Sequence, residues 1–328
     1  MKSRIAIAAV ALAFMLPLQA QAADTAPKQI PAKIELHPIR TLTLSDQQFL
    51  IGDKNAKEAT ISGELRIAQG QGRLPVVVLV HGSGGVVANV DAWANAFNAM
   101  GISTFAVDSF TGRGIDRMVD DQAQLGRLNM IVDVYRALDI LAKHPRVDTN
   151  RIALMGFSRG GQTTLYSSLK RFQLMWNNSG VRVAAYISFY GDCTRTYVSD
   201  TDTEDRPIRM FHGTGDDYVR IAPCRTYLQR LKQAGRDVQL TEYPNAPHVF
   251  DNPLGAVPPA LLPNAQTWND CTVREGPIGI MINTATNKPF TLTDACVRRG
   301  AHGGYDPAAA AAAHVAVEGF LKTLFKLN

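Results

Sequence analysis

The stretch RIALMGFSRGG, residues 151–161, decides the fold of this 328-residue chain. It begins with an apolar run, which is typical of a strand buried on both faces, and a helical pattern, RGGQTTLYSSLKRF, follows the serine. G-x-S-x-G alone is a weak signal, because Gly and Ser are ordinary turn residues. Between a strand and a helix, it predicts a sharp turn in which Gly156 and Gly160 avoid clashes. Such a turn exposes the Ser158 oxygen at the carboxyl edge of a sheet.

Short apolar runs and helical patterns alternate along the rest of the chain. The runs LPVVVLVHG, STFAVDSF, RIALMGFS, VAAYISFYG, IRMFHGTGD and VQLTEYPN are each typical of a buried parallel strand. Helices are predicted in NVDAWANAFNAMG, LNMIVDVYRALDILAKH, APCRTYLQRLKQAG and PAAAAAAHVAVEGFLKTLF. The earlier RTLTLS and ATISGELRIA alternate as antiparallel edge strands do. This order predicts one doubly wound α/β domain with a mostly parallel sheet.

Residues 1–22 have the organisation of a secretory signal peptide. A basic head, Lys2 and Arg4, precedes an apolar stretch, and AQA at residues 20–22 suits cleavage. Because the apolar stretch is short for a bilayer-spanning helix, removal is favoured over a membrane anchor. We therefore expect a mature domain of residues 23–328 in the periplasm or the medium, without stable membrane association.

The charge pattern gives no indication of a polyanionic partner. The formal net charge of +5 falls to +3 without residues 1–22, since that segment holds two basic residues and no acid. Lys and Arg are scattered, without a basic run or an aromatic-basic stripe. We expect no nucleic-acid partner, and the oligomeric state stays open.

The chain has four cysteines, and an exported protein is expected to pair them. None forms a C-x-x-C pair and no His stands at zinc-finger spacing, so no metal site is expected. Cys193 and Cys224 follow two strands whose carboxyl ends would be close if the strands are neighbours, which predicts one disulfide. Cys271 and Cys296 are predicted to form the other. Both belong to residues 252–305, which are rich in Pro, Gly, Asn and Thr and are interpreted as an insertion.

A serine alcohol becomes a nucleophile when a base takes its proton, and that base needs a carboxylate to orient it. Downstream of Ser158, FHGTGDDYV places Asp216 or Asp217 after one strand, and YPNAPHVFDN places His248 after the last. Carboxyl ends of parallel strands meet at one edge, so these side chains can converge. The order Ser, acid, His is that of α/β-hydrolases. His302 is the alternative base, but it follows the last strand less directly.

Backbone donors for an oxyanion are also expected. VVVLVHGSGG ends a strand in a glycine-rich turn, and its Ser83 N–H is the first choice, with Gly84 as the alternative. The N–H of Arg159, just after the serine, is the second donor. The turn lacks the Lys of a phosphate-binding loop, and no acid follows at dinucleotide-binding spacing, so no nucleotide cofactor is expected.

The motifs LVHGSGG, VDSFTGRG, RVDTNRIALMGFSRGG, HGTGDDYV and PHVFDNP together resemble the dienelactone hydrolase family of α/β-hydrolases, over residues 73–251 and the final helix. The resemblance implies the α/β-hydrolase fold and a carboxylic-ester hydrolase that acts on a small-molecule ester without metal or organic cofactor. It implies Ser158 as nucleophile, His248 as base and Asp216 as acid, since Asp216 stands three positions after the glycine of the H-G-x-x-D turn. Arg113 lies near the substrate-facing arginine of that family.

Three features depart from the resemblance. The namesake enzymes are cytosolic and carry cysteine in place of Ser158, and the segment 252–305 is additional, so the lactone substrate is not implied. A peptidase or an acyltransferase with the same triad is an alternative. A non-catalytic binding protein on this fold is less favoured, because no triad member is missing. Since the insertion leaves the sheet just after His248, we expect it to cover the mouth of the site.

Overall fold

A computed structural model of the protein describes residues 30–327. The predicted signal peptide, residues 1–22, lies outside the described residues. In chain order the strands are β1 Lys33–Thr43, β2 Lys57–Ile67, β3 Leu74–Val80, β4 Ser103–Asp108, β5 Val147–Phe157, β6 Ala185–Phe189, β7 Arg195–Thr196, β8 Ile208–Gly213, β9 Val238–Tyr243, β10 Ala260–Thr267, β11 Val273–Glu275, β12 Met281–Asn283, β13 Lys288–Pro289 and β14 Arg298–Gly303. The α-helices are α1 Asp46–Ile51, α2 Ala88–Ala99, α3 Asn129–Leu141, α4 Arg159–Tyr166, α5 Lys170–Trp176, α6 Ala222–Gln233 and α7 Pro307–Phe325.

The main sheet has eight strands in the order β1-β2-β4-β3-β5-β6-β8-β9. Strands β1 and β2 are antiparallel to their neighbours, and the other six strands are mutually parallel, namely β4, β3, β5, β6, β8 and β9. This arrangement confirms the mostly parallel sheet with an antiparallel edge. The carboxyl ends of β3, β5, β6, β8 and β9 therefore meet at one edge of the sheet.

Helices cover both faces of this sheet, as the doubly wound prediction requires. Alternate residues of β3 enter two separate cores: Val76, Val78 and Val80 pack with residues of α3 to α6, whereas Val77 and Leu79 pack with α2 and α7. Burial on both faces explains why this strand is apolar without alternation.

Helix α7 is long and apolar enough to span a bilayer by length and composition, and it is the one such helix in residues 30–327. Its Ala313, Val317, Leu321 and Phe325 are buried in the same core as Trp93 of α2. The helix therefore packs on the sheet as the final core helix that the sequence predicted.

The predicted helix after Ser158 is divided into α4 and α5. The hydroxyls of Ser167 and Ser168 donate to the carbonyls of Thr164 and Leu165, at 2.8 and 2.6 Å. Such bonds compete with the helical backbone pattern, which is why the helix ends there. Helix α1 was not predicted, because its six residues are too few to show a periodic pattern.

The insertion folds as β structure that sequence analysis did not predict. Strand β10 pairs antiparallel with β14, and β11 to β13 form a small sheet in which β11 also pairs with β7, from outside the insertion. Pairing uses backbone groups, so it needs few apolar side chains. Both predicted disulfides are confirmed: Cys193–Cys224 beside the neighbouring β6 and β8, and Cys271–Cys296 within the insertion. Two disulfides are typical of an extracellular or periplasmic protein.

Candidate active site

The turn between β5 and α4 is sharp, as the sequence predicted, and its backbone is strained. Ser158 has φ 54° and ψ −112°, a region that L-residues rarely adopt, and its N–H donates to the Phe189 carbonyl at 2.9 Å. A Cβ on Gly156 would lie 2.1 Å from the Gly160 oxygen, and one on Gly160 would lie 2.0 Å from the Val80 oxygen. Only glycine fits at both flanking positions, so the serine is held at the sheet edge.

The structure brings Ser158, His248 and Asp216 together. His248 Nε2 lies 3.0 Å from Ser158 Oγ, and His248 Nδ1 lies 2.7 Å from Asp216 Oδ2. Since a carboxylate can only accept, Nδ1 carries the proton, and Nε2 offers its lone pair to the serine hydroxyl. Both His248 and Asp216 are buried, whereas Ser158 is only half-buried. Ser158 is thus partly exposed, while the two side chains behind it are buried.

Asp216 is held in its ionised form by hydrogen bonds. Its Oδ1 accepts the N–H groups of Tyr218 and Val219 at 2.9 and 2.8 Å, and His212 Nε2 lies 3.4 Å from Oδ2. Burial alone would raise the pKa of the Asp216 carboxyl, but the facing His248 and the hydrogen bond from His212 lower that pKa below its usual range.

The two alternatives weighed in the sequence form a pair of their own. His302 Nδ1 lies 2.8 Å from Asp217 Oδ2, and the His302 N–H donates to Asp217 Oδ1 at 2.8 Å. About half of each side chain is exposed, at 50% and 47%. Asp217 thus points away from His248, although it directly follows Asp216.

Two tyrosine rings enclose the imidazole of His248, and sequence analysis missed both. Tyr190 and Tyr218 each have their ring centroid 4.8 Å from that of His248. Tyr190 donates its hydroxyl to Asp251 Oδ1 at 2.5 Å, and Trp93 Nε1 donates to Asp251 Oδ2 at 2.8 Å. Burial raises the pKa of the Asp251 carboxyl. The available signal was the buried acid in HVFDNP, but its partners are remote in sequence.

The glycine-rich turn after β3 lies beside the serine. A Cβ on Gly82 would be 3.2 Å from Ser158 Cβ. Within residues 30–327 the backbone N–H groups of Ser83 and Arg159 donate no hydrogen bond, so both are free for an anion. The Ser83 hydroxyl instead donates to Gln122 Oε1 at 3.1 Å. The roles of Ser83 and Arg159 as oxyanion donors stay a prediction, with Gly84 as the alternative to Ser83.

His81 fixes the start of this turn. It accepts the Ser109 N–H at Nε2, 3.1 Å away, and donates from Nδ1 to the Gly82 carbonyl at 2.7 Å. Burial lowers the pKa of the His81 imidazole, which keeps the ring in this neutral form.

The structure corrects the substrate-binding prediction for Arg113. Its Nη1 and Nη2 donate to both oxygens of Asp133 at 2.8 Å, and the remaining donors reach Thr43 Oγ1 and the carbonyls of Ser109 and Leu42. All five N–H groups are used, and only 4% of the side chain is exposed. No donor remains for a substrate, so Arg113 is a structural residue that joins β1 to α3.

One group of three side chains of metal-ligand type lies close together in residues 30–327, on β1 and after α3. Glu35 Oε2 is 3.1 Å from both His37 Nε2 and His144 Nε2. His144 Nδ1 accepts the Arg146 N–H, so its Nε2 carries the proton and donates to Glu35. Because Nε2 has no free lone pair in this arrangement, the contacts are those of a hydrogen-bonded cluster.

An eight-stranded, mostly parallel sheet with helices on both faces and a serine at a strand-to-helix turn defines the α/β-hydrolase class. A family model described as the dienelactone hydrolase family matches residues 61–273. The chain belongs to this family of carboxylic-ester hydrolases.

Individual relatives are distant. An uncharacterized protein of Caenorhabditis elegans is 28% identical over 123 residues, which are 37% of this chain and 72% of that protein. A solved structure titled m3DLH is 21% identical, with a TM-score of 0.54. A dienelactone hydrolase-like promiscuous phosphotriesterase from metagenomic libraries is 18% identical, with a TM-score of 0.53. Both structural matches cover 89% of this chain and 98% of theirs, and at these identities they establish the fold.

Proposed function

We propose that the protein is an exported serine hydrolase that cleaves carboxylic esters of small molecules through an acyl-enzyme. The observation that carries this proposal is the continuous set of hydrogen bonds from Ser158 Oγ through His248 to Asp216 Oδ2, at 3.0 and 2.7 Å. A half-buried serine with a buried base behind it is suited to attack on a bound carbonyl group.

In the proposed reaction, His248 Nε2 takes the proton of Ser158 as Oγ attacks the ester carbonyl carbon. The negative charge that develops on the carbonyl oxygen is stabilised by the N–H groups of Ser83 and Arg159. His248 then gives its proton to the leaving alcohol, which breaks the ester bond and leaves an acyl group on Ser158. Water, activated by the same imidazole, releases the acid and restores the serine.

Contacts between the insertion and residues around His248 support a narrow opening to this site. The Gly304 N–H donates to the His248 carbonyl at 3.0 Å, and Thr267 Oγ1 donates to the Tyr218 carbonyl at 2.8 Å. Leu262 packs against the small core of Tyr218, Ala265 and Ala301, and Tyr218 borders the imidazole of His248. We infer that the insertion forms one wall of the ester-binding site and restricts the bulk of accepted substrates.

Covalent labelling tests the nucleophile. A fluorophosphonate probe should label the purified protein, and Ser158→Ala should abolish both labelling and ester turnover, with Ser179→Ala as the control outside the site. Ester turnover should fall by about 10⁴-fold or more in the Ser158 variant. Unchanged labelling of that variant would contradict the assignment.

A substrate panel then tests the reaction class. Short acyl esters should be hydrolysed in water, whereas peptides should not be cleaved, and added alcohols should not become the preferred acyl acceptors. Faster cleavage of peptides would make the protein a peptidase with the same residues. Predominant transfer to an alcohol would make it an acyltransferase.

A further inference from the structure

A second cavity lies between the insertion and the loop that precedes α3. Its volume is about 340 Å³, at the lower end of the range for small-molecule sites. The insertion contributes apolar walls, which include Ile280, Met281, Phe290 and Leu292, and none of Ser158, Asp216 and His248 lines the cavity. The cavity is therefore distinct from the triad, and an inference about it does not depend on the proposed function.

Two buried arginines, Arg127 and Arg195, also line this cavity, with exposed fractions of 7% and 3%. Arg127 Nε donates to Gln162 Oε1 at 2.8 Å, and Arg195 Nη1 donates to Asp192 Oδ2 at 2.9 Å. In the described part of the chain, Nη1 of Arg127 and both Nε and Nη2 of Arg195 donate no hydrogen bond. None of these three nitrogens is fully buried, and both residues line the cavity, so these atoms are accessible to a ligand from the cavity side.

The buried charges do not balance. The charged neighbours that act most strongly on Arg127 and Arg159 include Arg195 and two carboxylates, the buried Asp192 and the half-buried Asp46. Burial and the neighbouring Arg195 lower the pKa of Arg127 to about 10. Three guanidinium groups and two carboxylates leave one excess positive charge, which one further anion would compensate.

The ring of Trp268 partly compensates the excess positive charge of these arginines. Arg127 and Arg195 lie 4.2 and 5.0 Å from its centroid, and its Nε1 donates to Asp192 Oδ2 at 2.7 Å. Phe290 lies 5.4 Å from Arg195 on the cavity side. These rings hold both guanidinium groups in place, so that a ligand would meet ordered donors.

We propose that this cavity binds a monocarboxylate with a compact apolar body. One negative charge matches the excess cation, and the planar carboxylate matches the fork of a guanidinium group. The apolar walls from the insertion accept the rest of the ligand. Inorganic phosphate, which has no apolar part and carries more charge than the excess, fits this lining less well.

The test compares two probes of the same shape, phenylacetate and the neutral phenylacetamide, by calorimetric titration of the purified protein. Phenylacetate should bind at a single site, and phenylacetamide should bind about ten-fold more weakly or worse. Arg195→Gln should weaken phenylacetate by about ten-fold or more, whereas Arg298→Gln, an exposed arginine of the insertion, should leave it unchanged.

Two further variants make each result decisive. Leu292→Trp fills the cavity without changing a charge, so it should abolish binding even if Arg195→Gln does not fold. Ser158→Ala should bind phenylacetate as tightly as the unmodified protein does, and loss of binding there would place the anion at the triad instead. Equal affinity for the two probes, or binding that survives Leu292→Trp, would overturn the proposal.

Discussion

Asp216→Asn and Asp217→Asn form a matched pair that tests whether Asp216, and not its exposed neighbour, is the carboxylate of the proposed triad. At position 216 an asparagine oxygen can still accept the N–H groups of Tyr218 and Val219, which Asp216 Oδ1 accepts now. Its NH₂ group then faces His248 Nδ1 and donates to it. The proton of the imidazole moves to Nε2, which can no longer take the proton of Ser158.

We expect kcat for ester hydrolysis to fall by about 10⁴-fold in Asp216→Asn, which corresponds to ~5 kcal/mol of transition-state stabilisation. Asp217→Asn weakens only a half-exposed pair with His302, and such pairs contribute about 0–1 kcal/mol to stability. Its kcat should stay within about two-fold of the unmodified value. Stopped assays with one ester at saturating concentration measure both variants. If Asp217→Asn lost as much activity as Asp216→Asn, the assigned triad would be wrong.

The same variant predicts a change in acid stability. The pKa of Asp216 is lower in the folded protein than the value of about 3.9 in an unfolded chain, so the folded state binds this proton more weakly. The resulting stability is fully present above the unfolded pKa and is lost as pH falls through the folded pKa. Between about pH 5 and pH 3, Asp216→Asn should lose less unfolding free energy than the unmodified protein in urea titrations. Parallel loss in the two proteins would contradict the lowered pKa.

Three further outcomes follow from contacts outside the triad. Arg113→Gln breaks a buried ion pair, so it should lower the free energy of unfolding by about 3–5 kcal/mol, while KM of the folded fraction stays unchanged. A raised KM at unchanged stability would instead support a substrate-binding role for Arg113. Tyr190→Phe keeps the ring beside His248 but removes a hydrogen bond to a buried carboxyl group. It should cost about 2 kcal/mol in urea denaturation and less than about ten-fold in kcat; a larger loss of kcat would assign the hydroxyl to the chemistry. Replacing Cys193 and Cys224 together by Ala removes a bond between residues that are 31 positions apart in the sequence. The chain-entropy model predicts a loss of about 4 kcal/mol in the free energy of unfolding, which urea denaturation would measure. An unchanged free energy of unfolding would mean that the disulfide does not constrain the unfolded chain.

The sequence could predict the main sheet and the turn at Ser158 because their signals are local. A continuous apolar run indicates burial on both faces, and the two glycines are required by atoms within a few residues or on the adjacent strand. The insertion gave no such signal, since its ladders are formed by backbone groups and its apolar residues are interspersed with Pro, Gly, Asn and Thr. The Tyr190–Asp251 contact was also beyond prediction, because its members are 61 residues apart and meet only in the folded chain.

Arg113 shows why a motif position does not determine a role. The motif SFTGRG does not distinguish an arginine that faces a ligand from one whose N–H groups are all hydrogen-bonded within the protein. The difference lies in Asp133 of α3 and in the carbonyls of β1, which together use every donor of Arg113. For a residue with five donors, function depends on how many are left free, and this depends on tertiary structure.

The adjacent Asp216 and Asp217 make the same point within one loop. Both follow β8, both are acidic, and both lie within reach of a histidine, so residue type and position alone left the choice open. In the structure Asp216 Oδ1 accepts two backbone N–H groups of its own turn, which fixes the carboxylate and aims Oδ2 at His248. Asp217 lacks these turn contacts and reaches the exposed His302 on β14. The geometry of the turn therefore determines which carboxylate faces His248, and the sequence of two adjacent aspartates does not reveal that geometry.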